Sequence, residues 1–154
     1  MPRFLKKGRF FILTVITVLT VLFIFINSLI PGDLVRKQSE AVSRYLDTSL
    51  FFGKGCFYPL PDVTVIAHFL EFAFLGFFIG NLTLLFRSEG RGQIFIGIFI
   101  GLSVAFLDES VQILSGRVPS VVDMWIDLFG FTSAFGPVCF IKSAIIKRRY
   151  KWLK

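Results

Sequence analysis

The sequence has few charged residues for its length. Only 18% of its 154 residues are Asp, Glu, Lys or Arg, whereas 55% are hydrophobic and the mean hydropathy is +0.75. A disordered tail or a coiled coil would carry far more charge. A water-soluble domain of this size could not bury so much apolar side chain. The scarcity of charge therefore excludes these classes and, very nearly, any cytosolic enzyme.

Residues and motifs that would identify a chemistry directly are also scarce. The chain has two cysteines, Cys56 and Cys139, which we expect on opposite sides of a membrane, so no disulfide is predicted. It contains no Gly-rich phosphate loop and no zinc-ligand spacing. The net charge of +7 comes from basic residues beside apolar runs. We therefore expect no nucleic-acid partner.

Four uncharged or weakly charged apolar runs dominate the chain, and each is near the ~20 residues that cross a bilayer as a helix. They predict an all-α, integral membrane four-helix bundle. The first run lacks a small-residue cleavage site, so we interpret it as an uncleaved anchor. The predicted spans are 10–30, 63–86, 93–114 and 121–141 of a membrane domain 10–141, with a basic N-terminus 1–9, an outer loop 31–62 and a basic tail 142–154.

The distribution of basic residues predicts the orientation. If both termini are cytoplasmic, 12 of the 17 Lys and Arg lie on the cytoplasmic side. This is the positive-inside arrangement, and the opposite orientation reverses it. We therefore expect an N-in, C-in membrane protein that contacts membrane lipids.

The outer loop leaves two alternatives open. Leu34, Val35, Val42, Leu46 and Leu50 recur at roughly helical spacing, which favours a helix lying on the outer interface. The Gly and Pro residues that follow are equally typical of a partly ordered loop.

Polar residues inside the predicted spans are the main functional signal, because an ionisable group in a bilayer needs a partner, a water-filled cavity or a function. An α-helix rises 1.5 Å per residue, so each of these polar residues lies within roughly a dozen ångströms of the outer end of its predicted helix. We therefore predict one polar cluster that faces the bundle interior and opens outward. Its members are Asn27, Ser28, His68, Glu71, Asp108, Glu109, Gln112, Arg117, Asp123 and Asp127.

The residue types in the polar cluster suggest several roles. Arg117 is suited to clamp a phosphate or carboxylate, and His68 with Glu71, three positions apart, could form an acid/base pair. A divalent cation could bind Asp108, Glu109 and Asp123.

The candidate catalytic groups are His68, Glu71, Asp108 and Glu109. The remaining members are candidate ligand-binding residues.

The alternative is purely structural. A network of Glu71, Arg117 and aspartates could hold the four helices together, with Asp123 capping the last helix at its N-terminus. For a single residue the structural role is as good an explanation as a functional one. For the whole cluster we favour a function, because buried ionic networks are poor net stabilisers. The pairs Gly76/Gly80 and Gly97/Gly101 have the spacing that permits close helix contact.

These same polar residues carry a resemblance to the VanZ-like family, which covers about residues 10–137. The chain departs from many members at Thr64 and Val65, where a basic residue is common, at Val111, where His is common, and at Ser115, where Pro is common. The matching motifs are Ala67-His68-Phe69-Leu70-Glu71-Phe72, Leu75-Gly76, Asp108-Glu109-Ser110-Val111-Gln112, Gly116-Arg117, Asp123-Met124-Trp125-Ile126-Asp127 and Gly130.

The resemblance implies a small bacterial inner-membrane protein of the cell envelope, whose namesake lowers susceptibility to teicoplanin-type glycopeptides. Two functions follow as expectations. The first is binding of an amphiphilic or lipid-linked anionic ligand, either a cell-wall precursor or a lipoglycopeptide, at the outer leaflet. In this hypothesis Arg117 binds the anionic group and an apolar groove holds an acyl chain. The second is a membrane hydrolase or transferase acting on a lipid-linked phosphate or envelope substrate.

Overall fold

The computed structural model describes residues 3–49, 63–83, 85 and 91–151 of the chain. Every regular element in this part is a helix, as the apolar runs predict. The elements are α1 (Arg3–Ser28), α2 (Gly32–Ser49), α3 (Val63–Thr83), α4 (Arg91–Leu114) and α5 (Val121–Lys151).

Four of the five helices are long and apolar enough to cross a membrane. Their apolar stretches are Lys7–Ser28, Val63–Thr83, Gly92–Leu114 and Val121–Ile145. Many large hydrophobic side chains on these helices face outward, and Phe11, Phe95 and Phe99 are each about 70% exposed. An apolar exterior of this kind suits lipid and not water, so the structure is that of a membrane protein.

The helix bounds refine two sequence predictions. The described part of the outer loop is a helix, α2, whose polar composition sets it apart from the four apolar helices. Helix α5 continues ten residues past the predicted end at Ile141, to Lys151, because basic residues outside an apolar run are still good helix formers. Residues 50–62, with Cys56, and the span end at 84 and 86 lie outside the described residues.

Glycines bring α3 into backbone contact with α5, which is the most extensive helix pairing in the described bundle. A Cβ at Gly76 would overlap the backbone carbonyl of Phe131, and a Cβ at Gly130 would overlap that of Phe69. Only glycine permits such an approach. The predicted close contact at the Gly76/Gly80 pair is confirmed, since Gly80 also lies against α5, at Val138.

The second glycine pair receives aromatic rings instead of a backbone. Gly97 and Gly101 on α4 lie under the rings of Phe135 and Phe131, which stack on each other with centroids 5.2 Å apart. Both phenylalanines are buried and belong to the apolar core, together with Phe72 of α3. This core fills the bundle below the polar cluster and fixes the relative positions of α3, α4 and α5.

Candidate functional site

The helix ends that carry the polar residues meet at one end of the bundle, which we call the α2 end. Helix α1 ends there, α3 and α5 begin there, and α4 ends there. Side-chain contacts between α1 and α3, α1 and α4, and α3 and α5 join these ends. The predicted convergence of polar groups at a common depth is therefore present in the structure.

His68 and two aspartates form the buried centre of the polar cluster. His68 Nδ1 lies 3.2 Å from Asp127 Oδ1 and 3.8 Å from Asp108 Oδ2. The side chains of both aspartates are fully buried, and that of His68 is 12% exposed. Each residue comes from a different helix, so the centre exists only when α3, α4 and α5 are packed together.

Asp108 and Glu109 are held by hydrogen bonds from neighbouring amide and hydroxyl groups. Ser28 donates its hydroxyl proton to Asp108 Oδ1. Gln112 Nε2 donates to Asp108 Oδ2 at 3.0 Å and to Glu109 Oε1 at 3.1 Å. Since a buried acceptor without a donor is costly, these bonds explain how the two adjacent carboxyl groups are accommodated at the end of α4.

The start of α5 is capped by Ser120, and not by Asp123 as the sequence suggested. Ser120 Oγ accepts a hydrogen bond from the Asp123 backbone N–H at 3.3 Å, which is the usual N-cap arrangement. The Ser120 N–H in turn donates to Glu109 Oε2 at 2.6 Å. Asp123 lies in the first turn of α5, where the helix dipole stabilises its negative charge.

Glu71 is paired with α1 and not with His68. Asn27 Nδ2 donates to Glu71 Oε1 at 2.6 Å. The spacing of three residues places His68 and Glu71 on one side of α3, but His68 points to Asp127 across the interface with α5. The predicted acid/base pair is therefore replaced by two inter-helix pairs.

Arg117 lies in the turn between α4 and α5, beside the start of α2. Gly116 precedes it with a φ of +73°, a conformation that favours glycine, and the Arg117 side chain packs against Gly32. Among the carboxylates whose side chains the structure describes, none forms an ion pair with Arg117. The predicted network of Glu71, Arg117 and aspartates is thus not formed.

A polar cavity of about 230 Å³ opens between α1, α2 and α3, and Arg117 is one of the residues that line it. Of the polar cluster, Asn27, Ser28, His68 and Glu71 also line this cavity. Helix α2 contributes Gln38, Ser39 and two valines, and α3 adds Thr64. The remaining acidic members of the cluster lie on α4 and α5, outside the lining.

An apolar groove of about 420 Å³ runs along α1 and α3, next to the polar cavity. Its walls are residues such as Leu19 and Phe23 of α1 and Leu70 and Phe74 of α3. Glu71 lines both the groove and the polar cavity. The ligand-binding hypothesis included an apolar groove for an acyl chain, but the sequence could not place it on α1 and α3, because hydropathy alone cannot tell a groove from a flat lipid-facing surface.

Two serines contribute contacts that the sequence analysis missed. The Ser115 hydroxyl donates to the backbone carbonyl of Ser28 at 2.9 Å and so ties the end of α4 to the end of α1. Ser120, described above, links α5 to Glu109 through its backbone. A serine directly after a helix and a serine directly before one are the sequence signals that could have identified them.

His68, Asp108 and Asp127 each offer a ligand atom within 4.8 Å of those of the other two, an arrangement that could hold a metal ion. The cation site considered from the sequence was Asp108, Glu109 and Asp123, so the two sets share only Asp108. In the structure Glu109 turns toward Ser120, and Asp123 is partly exposed in the first turn of α5.

Comparison of the chain with protein-family models, with curated proteins and with solved structures gives no match in any of the three. The geometry of the polar cluster, the cavity and the groove therefore carries the functional conclusion.

Proposed function

We propose that this protein is a VanZ-like component of the bacterial cell envelope that binds an anionic amphiphile, with the head group in the polar cavity and the acyl chain in the apolar groove. The observation that carries the proposal is the position of Glu71, which lines both spaces. A ligand that fills both must be polar at one end and apolar at the other, which is the character of a membrane lipid.

The polar cavity suits a small anionic head group. Arg117 offers a planar guanidinium, which is well matched to phosphate or carboxylate oxygens and has no carboxylate partner within the described residues. A volume of about 230 Å³ is smaller than the roughly 300–1,000 Å³ that drug-sized ligands occupy. The cavity therefore favours a lipid-linked phosphate over a whole lipoglycopeptide.

The groove provides the apolar half of the site. Leu19 of α1 is 58% exposed and Phe74 of α3 is 59% exposed, so both present apolar surface to an incoming chain. The groove opens on the outside of the bundle, where lipid would surround the protein. An amphiphile could then enter sideways from the bilayer without leaving it.

The side of the membrane follows from charge. The positive-inside arrangement puts both termini in the cytoplasm and the α2 end of the bundle outside. The proposed ligand is then an outer-leaflet lipid, such as a lipid-linked cell-wall precursor. Lowered susceptibility to teicoplanin-type glycopeptides, the phenotype of the family's namesake, is one consequence that such binding would have.

The test is binding of a long-chain polyprenyl monophosphate to the detergent-purified protein, with the free polyprenol as the neutral control. Hydrogen bonds to a charged partner contribute about 1.5–3 kcal/mol, so Arg117→Gln should weaken binding by about 10- to 100-fold. Arg36→Gln removes the same charge from an exposed position on α2 and should change nothing. Equal affinity for the phosphate and the alcohol would refute the anionic site.

A second pair of variants tests the groove. Leu19→Trp would fill the groove, whereas Leu22→Trp places the same side chain at an exposed position of α1 that does not line the groove. We expect only the first to weaken binding of the polyprenyl phosphate. If both have the same effect, the acyl chain does not occupy the groove.

The family phenotype has its own assay. Teicoplanin and vancomycin susceptibility should be compared in a sensitive Gram-positive host that expresses the wild type, Glu71→Gln, Asp108→Asn or Arg117→Ala at equal membrane levels. Protection against teicoplanin that these variants lose would connect the polar cluster to the phenotype. Absence of protection by well-expressed wild type would separate lipid binding from glycopeptide susceptibility.

One observation favours the second candidate function, a membrane hydrolase or transferase acting on a lipid-linked phosphate. The imidazole of His68 lines the polar cavity while a buried carboxylate, Asp127, holds it in place at 3.2 Å. A histidine oriented in this way is a common general base. Release of phosphate from the bound lipid, abolished in a folded His68→Ala variant, would establish this activity in place of binding alone.

A further inference from the structure

We propose that His68, Asp108 and Asp127 bind one divalent transition-metal cation, Zn²⁺ or Mn²⁺, in the wall of the polar cavity. His68 Nδ1 lies 3.2 Å from Asp127 Oδ1 and 3.8 Å from Asp108 Oδ2. Around a tetrahedral metal with bonds of about 2.0–2.2 Å, neighbouring donor atoms are about 3.3–3.6 Å apart. The two distances from His68 bracket this separation, and all three donor atoms lie within 4.8 Å of one another, so small side-chain movements would bring them around one metal ion.

The charge balance of the centre calls for a cation. Asp108 and Asp127 are both fully buried, and within the described residues the only basic group that contacts either carboxylate is the His68 imidazole. Two buried carboxylates thus face at most one positive charge. Buried charges in proteins are generally paired or coordinate a metal, and a divalent cation would supply the missing charge.

An unsatisfied oxygen provides an independent observation. Asp127 Oδ2 is completely buried and has no hydrogen-bonding partner anywhere in the described part of the chain. Unpartnered buried carboxylate oxygens are rare because desolvation is costly. A metal ion bound by Asp127 would satisfy this oxygen directly, or through rotation of the carboxylate.

The second carboxylate is already held in the orientation that a ligand needs. Ser28 donates to Asp108 Oδ1, and Gln112 donates to Oδ2. A carboxylate has about four lone-pair sites, so Oδ2 keeps the capacity for one more partner on the side of His68. Hydrogen bonds of this kind orient the ligands of known metal sites.

The donor set selects the kind of metal. One imidazole nitrogen and two carboxylate oxygens suit Zn²⁺ or Mn²⁺, whereas Mg²⁺ and Ca²⁺ prefer oxygen donors alone. Three protein ligands leave at least one coordination position open. Because His68 lines the polar cavity, that position would be accessible from the cavity. The site goes beyond the proposed function, since the metal can bind without an amphiphile.

The experiment is a metal titration of the full-length protein in detergent, with no lipid ligand added. The protein carries an affinity tag without histidine, is stripped with a chelator, and is equilibrated with Zn²⁺ or Mn²⁺ before gel filtration and elemental analysis. We expect one tightly held metal ion per chain. Asp127→Asn and His68→Gln should each lower the affinity at least tenfold.

Two control variants exclude other binding sites. Asp33→Asn makes the same change in charge at an exposed position on α2 and should leave metal binding unchanged. A variant with Cys56→Ser and Cys139→Ser removes both thiols of the chain and should also retain the metal. Loss of binding in the cysteine variant would assign the metal to the thiols and overturn the proposal.

A spectroscopic readout on the wild type does not depend on whether any variant folds. His68 is the only histidine of the chain, so selective ¹⁵N labelling of histidine reports on this imidazole alone. Zn²⁺ should move one imidazole nitrogen resonance in a saturable way. An unchanged spectrum at saturating Zn²⁺ and Mn²⁺ would overturn the metal site, while binding of the polyprenyl phosphate would still be measured separately.

Discussion

Replacing Gly76 by alanine tests the closest contact in the bundle. A Cβ at this position would overlap the Phe131 carbonyl group on α5. No rotamer change can relieve an overlap with backbone, so α3 and α5 must separate. Overpacking costs about 1–3 kcal/mol, and the gain of about 1 kcal/mol for Ala over Gly in a helix offsets part of it. Since the overlap is with backbone, we expect a net loss of about 2 kcal/mol.

The assay is unfolding of the detergent-solubilised protein by a titration with sodium dodecyl sulfate, followed by near-ultraviolet circular dichroism of the packed aromatic residues. A loss of about 2 kcal/mol corresponds to a roughly 30-fold change in the folding equilibrium constant. The control is Gly8→Ala, because a Cβ at Gly8 of α1 would have nothing within 4 Å. That variant should equal the wild type or gain up to about 1 kcal/mol.

The reciprocal position strengthens the test. A Cβ at Gly130 of α5 would overlap the Phe69 carbonyl group of α3, so Gly130→Ala should be destabilised to a similar extent. If Gly76→Ala and Gly130→Ala unfold at the same detergent concentration as Gly8→Ala, the two helices are not in backbone contact and the packing described above is wrong.

Three further variants can be measured by the same titration. Ser120→Ala removes the cap that accepts from the Asp123 N–H and should cost about 1 kcal/mol; an unchanged midpoint would mean that this cap is not formed. Glu109→Gln presents an amide group to either the Ser120 N–H or the Gln112 amide, so we expect a loss of about 1–3 kcal/mol, and a stable variant would contradict the shared carboxylate. Phe131→Ala empties a fully buried position and should cost about 3–5 kcal/mol; a much smaller loss would mean that the ring is not packed against α4.

The four spanning helices were predictable from the sequence, because a helix that spans a bilayer needs a long apolar run and each of the four contains one. Helix α2 was predictable only as one of two alternatives. Its apolar spacing indicated a helix, but the Gly and Pro residues that follow are equally typical of a loop. The end of α5 was missed because hydropathy marks the apolar stretch and not the helix, which continues through basic residues to Lys151.

The site was predictable as a set of residues but not as a set of pairs. Depth along each helix follows from counting residues, so the convergence of the polar cluster could be predicted. Rotation about the helix axis could not, since three of the helices have apolar residues on all sides. The spacing along α3 suggested Glu71 as the partner of His68, but in the structure the partner is Asp127 of α5.

The pairing of His68 with Asp127 also sets the order in which the buried centre can be completed. Ribosomes make α1 first, so when α4 emerges Asp108 finds Ser28 already synthesised. The nearer partner of His68 comes later, because Asp127 follows it by 59 residues, on the least hydrophobic of the four candidate spanning helices. Until α5 is made, the carboxylate available to His68 is that of Asp108, which lies 3.8 Å away in the finished bundle. The buried centre can therefore be complete only after α5 has been synthesised and has packed against α3. In a nascent chain arrested before Val121, the imidazole of His68 should still lack its Asp127 partner.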